Sequence, residues 1–266
     1  MIRTSVSILY VLAALFLVCA AAGAADSPSV DTIINKSNLA AYYAGDDGRS
    51  AVKMTITDAQ GRIRKREFNI LRRDVKDGGQ QNFYVYFKKP SDVRKLVFLV
   101  HKYIDKDDNR WLYLPALDLV KRIAASDKRT SFVGSHFFYE DVSGRAVDED
   151  VHKLVETTDA HYVIENTPKD AQSVEFAAYT VWIDKKSFLP VKADYTDKQG
   201  RKYRRVEALE FKNIQGFPTV TKAKVTDLID GGHTISVFAN VKYDIGLKDS
   251  IFTERYLRRA PKEARR

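Results

Sequence analysis

The sequence predicts a mainly β protein with about eleven or twelve antiparallel strands and very little helix. Three observations predict this class. Apolar and polar residues alternate with a period of two over most of the chain, and segments rich in Gly, Asp, Asn and Pro interrupt the alternation at short intervals. Apolar residues at near-helical spacing occur near the N-terminus. We therefore expect a series of hairpins that follows one N-terminal helix.

The predicted helix occupies residues 30–44. Ile33, Ile34 and Leu39 lie there at near-helical spacing. Asp31 favours a helix start, because a carboxylate interacts well with the positive end of the helix dipole. Gly45 is expected to end the helix.

The strand prediction begins in the segment that follows this helix. Val52, Met54 and Ile56 share one parity and polar residues occupy the other, as in a strand with one solvated face. Further strands are predicted at residues 62–71, 83–87, 95–103, 111–114, 119–123, 151–157, 161–166, 179–184, 190–197, 202–211, 220–229 and 234–243.

Two predicted turns, at residues 57–62 and 196–201, share the pattern Thr-Asp-x-Gln-Gly-Arg. An internal duplication would explain the likeness. We favour the other explanation, that both turns need the same backbone, with Asp accepting bonds from residues ahead and Gly taking positive φ.

The middle segment, residues 126–149, breaks the alternation and is predicted to be a loop with a short helix. It combines cations, an aromatic run and several acids. Phe132, Phe137, Phe138 and Tyr139 are its aromatic residues, and we expect them to cover one end of the sheet as a lid.

The N-terminus is predicted to be a cleaved signal peptide. Arg3 precedes an uncharged apolar run over residues 6–20, which is shorter than a membrane-spanning helix requires, and small residues follow. We expect cleavage after Ala24 or Ala25, so that residues 1–24 are the signal and residues 25–266 form a single β domain. Cys19, the single cysteine, then belongs to the signal, and the mature protein contains no thiol.

Motifs for catalysis or for metal binding are scarce. The five histidines have no metal-ligand spacing, and nucleophile-elbow, P-loop and dinucleotide-binding patterns are absent from the sequence. Glu140 and Asp141 are adjacent, and a regular element would point them in different directions. We therefore predict no cofactor, no metal and no enzymatic activity, although a hydrolase that uses Glu140 stays an alternative.

The net charge of +9 and the C-terminal residues 255–266, which carry six Arg or Lys and one Glu, suit an anionic partner. Export argues against nucleic acid. We expect the basic tail to be solvated; the alternative is peripheral contact with anionic lipid or an acidic partner.

The side chains at the alternate, apolar positions of the strands are bulky and often aromatic, which leaves two interpretations open. It could be the core of a β-sandwich, or the lining of a curved sheet that encloses a ligand cavity and is closed by the helix and the 132–142 segment. The candidate cavity residues are Val52, Met54, Ile56, Phe68, Ile70, Phe83, Val85, Phe87, Trp111, Tyr113, Trp182 and Tyr195.

Three segments carry a resemblance to a known family. Residues 110–123 (RWLYLPALDLVKRI), 131–142 (SFVGSHFFYEDV) and 181–192 (VWIDKKSFLPVK) resemble the recurring segments of the outer membrane lipoprotein-sorting-protein-like family of the LolA/LolB superfamily. The chain departs from the family pattern at His136, where an acid is usual, and at Phe138, where a small polar residue is usual.

The resemblance implies an incomplete antiparallel β-barrel of about 11–12 strands with an N-terminal helix and a short helical lid. It also implies a periplasmic carrier of lipid or acylated lipoprotein that works with an inner-membrane exporter of the RND type. Lys121, Arg122, Lys128 and Arg129 are candidates for contact with the lipid head group or the exporter. The alternative function is a periplasmic sensor or scaffold that binds lipid or a protein partner to regulate the envelope.

Overall fold

The computed structural model describes residues 28–266, and the predicted signal peptide and Cys19 lie outside the described residues. The helices are α1 (Val30–Tyr42), α2 (Tyr139–Ser143), α3 (Arg255–Arg258) and α4 (Lys262–Arg265). The strands are β1 (Asp47–Thr57), β2 (Ile63–Asp74), β3 (Gln81–Lys89), β4 (Val97–Lys102), β5 (Asn109–Leu114), β6 (Leu119–Ile123), β7 (Asp150–Thr157), β8 (His161–Pro168), β9 (Phe176–Asp184), β10 (Pro190–Asp197), β11 (Lys202–Ile214), β12 (Phe217–Asp227) and β13 (His233–Tyr243).

All thirteen strands form one antiparallel sheet in the order β6-β5-β4-β3-β2-β1-β13-β12-β11-β10-β9-β8-β7. Strands that are consecutive in the chain are neighbours in the sheet, except for β6 and β7. β1 pairs with β13, and β6 and β7 are the two edges, so the sheet is not closed. The connection between these edges, residues 124–149, is called here the lid segment.

This architecture confirms the predicted mainly β class and the incomplete barrel. Each predicted strand has a counterpart, and the total is thirteen rather than eleven or twelve. The sandwich interpretation is wrong, because every strand belongs to a single sheet. Among residues 28–266, no helix is long and apolar enough to cross a membrane.

Helix α1 confirms the predicted N-terminal helix, although it ends at Tyr42 instead of residue 44. The Ser29 side chain accepts a hydrogen bond from the backbone N–H of Thr32, which supplies a partner for an amide that the helix cannot satisfy. Ile33 and Ile34 pack against Ile164 of β8 and Ile183 of β9. The helix therefore lies against β8 and β9, on the face of the sheet that is called here the inner face.

The two similar turns have the same backbone. The Asp58 carboxylate accepts the amides of Gln60 and Arg62 at 3.0 Å each. In the second turn Asp197 accepts the corresponding amides of residues 199 and 201. The glycines have φ of +78° and +81°. Local turn chemistry explains the likeness without a duplication.

Strands β2 to β4 are covered on both faces. On the inner face, Phe132 of the lid segment is 2 % exposed and packs against aromatic residues of β2, β3 and β4. On the outer face, residues 247–266, called here the C-terminal segment, pack against Leu71, Tyr84, Val97 and Leu99. The expectation of a solvated tail is wrong, because Leu257 and Ala264 are buried.

Candidate ligand cavity

A cavity of about 500 Å³ lies on the inner face of the sheet, between the sheet, the C-terminal end of α1 and the lid segment. Strands β1 to β3 and β9 to β13 all contribute to its wall. One face of eight neighbouring strands can surround one cavity because the sheet is curved. The volume lies within the range typical of small-molecule sites, and the lining is mainly apolar.

Small side chains in register create this space. Ala208 of β11 pairs with Ala223 of β12, which pairs with Ser236 of β13. Ala193 of β10 also lines the cavity. Methyl and hydroxymethyl groups cannot reach across to the opposite wall, so the interior stays open here, while aromatic residues fill it beneath β2 to β4.

Half of the predicted lining residues are found in the wall of the cavity. They are Val52, Met54, Phe68, Ile70, Phe83 and Tyr195. Ile56, Val85 and Phe87 point to the same face but belong to the close-packed cluster around Phe132. Their burial supports the fold, and a role of any of these nine residues in ligand binding stays a prediction.

Three predicted lining residues lie on the wrong face. Trp111 and Tyr113 pack on the outer face with the C-terminal segment, while Leu112 points inward. Trp182 lies outside the cavity beneath the Lys192 ammonium, 4.0 Å from its ring centroid. Its neighbour Val181 lines the cavity instead. The prediction chose the wrong set of alternate residues as inward-facing, because the sheet has apolar side chains on both faces here. Aromatic bulk therefore does not identify the inner face.

The four predicted lid aromatics are arranged around the inner face. Phe132 and Phe137 line the cavity. Tyr139 packs against Phe98, with ring centroids 5.1 Å apart. Phe138 is stacked between two cations, 5.0 Å from the Arg129 guanidinium and 4.3 Å from that of Arg204. The lid segment therefore covers the inner face of the sheet with aromatic contacts, and its gating role stays a prediction.

A buried ionic cluster holds the lid segment. Glu140 is 3 % exposed and lies 2.5 Å from Arg129 and 3.3 Å from Lys128. Burial acts to raise the pKa of Glu140, but Arg129, Lys128 and Arg145 outweigh it and hold that pKa below its usual range. Arg129 also binds Glu175, at 2.8 Å, so the cluster connects the lid segment to the loop before β9.

These contacts correct the assignment of Lys128 and Arg129 to a lipid head group. The Lys128 ammonium and the Arg129 guanidinium both pair with the buried Glu140, and each has a second carboxylate partner, Glu149 and Glu175 respectively; both cations are largely shielded from solvent. Lys121 and Arg122, the other two candidates, are exposed on the edge strand β6. Their role in head-group or partner contact stays a prediction.

Two cations that the sequence prediction missed fix the helices at the cavity. Arg72 donates hydrogen bonds at 2.6 Å to the carbonyls of Ala44 and Gly45, just after α1. Lys102 donates to the Ser143 carbonyl at the end of α2 and lies 5.2 Å from the Tyr42 ring centroid. Burial lowers the pKa of Lys102 to about 8. At alternate positions of their strands, Arg72 follows Phe68 and Ile70, and Lys102 follows Phe98 and Val100. A cation that continues such an apolar series was the signal for both.

An open antiparallel sheet that surrounds an apolar cavity under an N-terminal helix and a lid defines a LolA-like fold. A family model described as "Uncharacterized protein" matches residues 79–259. The chain is similar to the crystal structure of a DUF1329 family protein from Desulfovibrio piger, with 30 % identity and a TM-score of 0.78, covering 87 % of this chain and 100 % of that one.

Two further solved structures share the fold. A putative outer membrane lipoprotein-sorting protein domain from Vibrio parahaemolyticus has 26 % identity and a TM-score of 0.77, covering 85 % of this chain and 97 % of that chain. A LolA superfamily protein from Nitrosomonas europaea has 21 % identity and a TM-score of 0.67, covering 86 % and 100 %. Comparison with curated proteins gave no match. The chain belongs to the DUF1329 family, and it shares its fold with the lipoprotein-sorting protein domain and the LolA superfamily protein.

Proposed function

We propose that this protein is a periplasmic carrier that shelters the apolar part of a lipid or of an acylated lipoprotein in its cavity. The observation that carries the proposal is the apolar cavity of about 500 Å³ between the sheet, α1 and the lid segment. The lipoprotein-sorting name of the Vibrio parahaemolyticus relative supports the same class of ligand.

Burial of hydrocarbon supplies the binding energy in this proposal. Each buried methylene contributes about 0.8 kcal/mol, so about ten methylenes contribute about 8 kcal/mol without a hydrogen bond. Glu140 and Asp141, the acids that the lid segment contributes to the cavity wall, are both ion-paired, with Arg129 and Arg204 respectively. Their ion pairs hold the lid segment in place. This structural role supports a binding function for the cavity over the hydrolase alternative.

Uptake of a fluorescent fatty acid tests the proposal. Ala223→Trp places an indole in the small-residue part of the cavity, and we expect it to lower the affinity for the probe by at least about tenfold. Ala239→Trp is the matched control, because Ala239 is exposed on the outer face of β13. Equal binding by the wild-type protein and both variants would place the probe elsewhere and contradict the proposal.

Export and partnership are separate parts of the proposal. We propose that residues 1–24 are removed as a signal peptide and that residues 25–266 function as one domain in the periplasm. Sequencing of the mature N-terminus should then begin at Ala25 or Asp26. The RND-type exporter is proposed from the family resemblance alone, and co-purification of such an exporter with the tagged, exported protein would support it.

A further inference from the structure

The C-terminal segment is a folded layer on the outer face of the sheet. Leu257 and Ala264 are buried against β2 to β5, and Tyr84 donates a hydrogen bond to the Tyr256 carbonyl at 2.7 Å. Asn69 of β2 donates to the Ala264 carbonyl at 2.8 Å. These contacts fix which side of the segment faces solvent.

The solvent side of this segment is strongly cationic. The apolar residues point to the sheet and the basic residues point away from it, so the segment replaces an apolar sheet face by a charged surface. Its exposed cations are Lys248, Arg255, Arg258, Arg259, Lys262, Arg265 and Arg266, against two exposed acids, Asp249 and Glu254. Glu263, the acid among residues 255–266, is only partly exposed.

An exposed leucine lies beside these cations. Arg258 forms an ion pair with Asp118, at 2.9 Å, and also donates to the Asp118 carbonyl. Leu117 precedes Asp118 in the β5–β6 connection and is 71 % exposed. The Arg258–Asp118 pair therefore joins the cationic surface to Leu117, an apolar side chain that protrudes into solvent.

We propose that this surface, formed by the C-terminal segment and residues 117 and 118, docks the protein on an anionic lipid membrane. Clustered Arg and Lys are attracted to the negative surface potential of such a membrane, and a protruding leucine enters its interfacial region. An acidic protein would suit the cations, but it would not explain an exposed leucine outside any groove. The surface is separate from the cavity, so docking does not depend on which ligand the cavity binds.

Sedimentation with vesicles tests this inference. The wild-type protein should bind vesicles of equal parts phosphatidylglycerol and phosphatidylcholine, release from them at high salt and ignore pure phosphatidylcholine. The triple variant Arg255→Glu/Arg259→Glu/Lys262→Glu should bind at least about tenfold more weakly. The triple variant Lys153→Glu/Lys198→Glu/Lys212→Glu makes the same charge change at exposed residues of the other half of the sheet, and it should bind at least several-fold better than the first variant.

Leu117→Ser separates insertion from charge attraction. We expect it to weaken vesicle binding several-fold while the net charge stays the same. Equal binding by the two triple variants would overturn the proposal. Capture of polyglutamate without vesicle binding would assign the surface to an acidic protein and would also overturn it. Fatty-acid uptake by the variants with weak vesicle binding reports on the cavity independently.

Discussion

Gly144 lies directly against the ring of Tyr42, so that a β-carbon added to Gly144 would be 2.5 Å from Cζ of the tyrosine. Tyr42 is the last residue of α1, and Gly144 follows α2 in the lid segment. The two elements that cover the cavity therefore meet at a contact that has no space for another side chain.

Gly144→Ala should destabilise the protein by about 3 kcal/mol, because it combines a positive φ with overpacking against Tyr42. Gly144 has φ of +76°. Gly200→Ala is the control: φ is +81° there, but nothing lies within 4 Å of the added carbon, so about 1 kcal/mol is expected. Urea unfolding measures both. Equal losses would show that the Tyr42 contact adjusts freely.

Glu140→Gln should cost about 3 kcal/mol at pH 7, because Arg129, Lys128 and Arg145 would keep their charges without the shared carboxylate. The carboxyl has a lowered pKa in the folded protein, so its contribution is present above the unfolded value of 4.5 and is lost as the pH falls below it. The difference in stability between the wild-type protein and the variant should therefore shrink in acid. Glu156→Gln, at an exposed position, should change stability little at any pH; a similar loss in both variants would argue against the ionic cluster.

Asp74→Asn should stabilise the protein above pH 6. Burial raises the pKa of Asp74 to about 6, although Arg72 and Gln81 act to lower it. Because the folded pKa exceeds the unfolded value of 3.8, the stabilising contribution of the protonated form is complete below that value and is lost as the pH rises through 6.

At pH 8 we expect the Asp74→Asn variant to be more stable than the wild-type protein by about 1 kcal/mol. The hydrogen bond from the Gln81 side chain, 2.7 Å long, can be kept by the asparagine oxygen. Thermal melting at several pH values measures the difference, and Asp159→Asn, at an exposed position, is the control. A variant that is less stable than the wild-type protein at pH 8 would contradict this assignment.

Leu257→Ala should destabilise the protein by about 2 to 4 kcal/mol, because the leucine is 1 % exposed between the C-terminal segment and the sheet. Arg259→Ala, two residues further on and exposed, should stay within about 0.5 kcal/mol of the wild-type protein. Denaturant unfolding checks both. A negligible effect of Leu257→Ala would mean that the segment does not contribute to the folded core.

The strand series could be predicted because much of the sheet has one solvated face. In β1, Val52, Met54 and Ile56 are buried while Lys53 is exposed, so alternation identifies both the element and its inner face. In β5 the same reasoning found the strand but chose the wrong face. The cover over Trp111 and Tyr113 comes from the far end of the chain, which local periodicity cannot reveal.

The cavity itself could not be located from bulky residues. Its space depends on Ala208, Ala223 and Ser236 being in register, and register across three strands is a property of the folded sheet. The roles of Lys128 and Arg129 were missed for a similar reason, since Glu175 is 46 residues from Arg129 in the chain. The charges in the sequence suggested a free binding surface, but in the folded protein these cations form ion pairs with carboxylates that are distant in the chain.

The central claim, that the cavity shelters the apolar part of a lipid, is tested most directly by native mass spectrometry of protein purified from the envelope of its own host. We predict a bound amphiphile with acyl or polycyclic hydrocarbon on the wild-type protein, and its loss from Ala223→Trp while Ala239→Trp retains it. Wild-type protein that carries no such molecule, and acquires none when it is mixed with host lipid extract, would contradict the account.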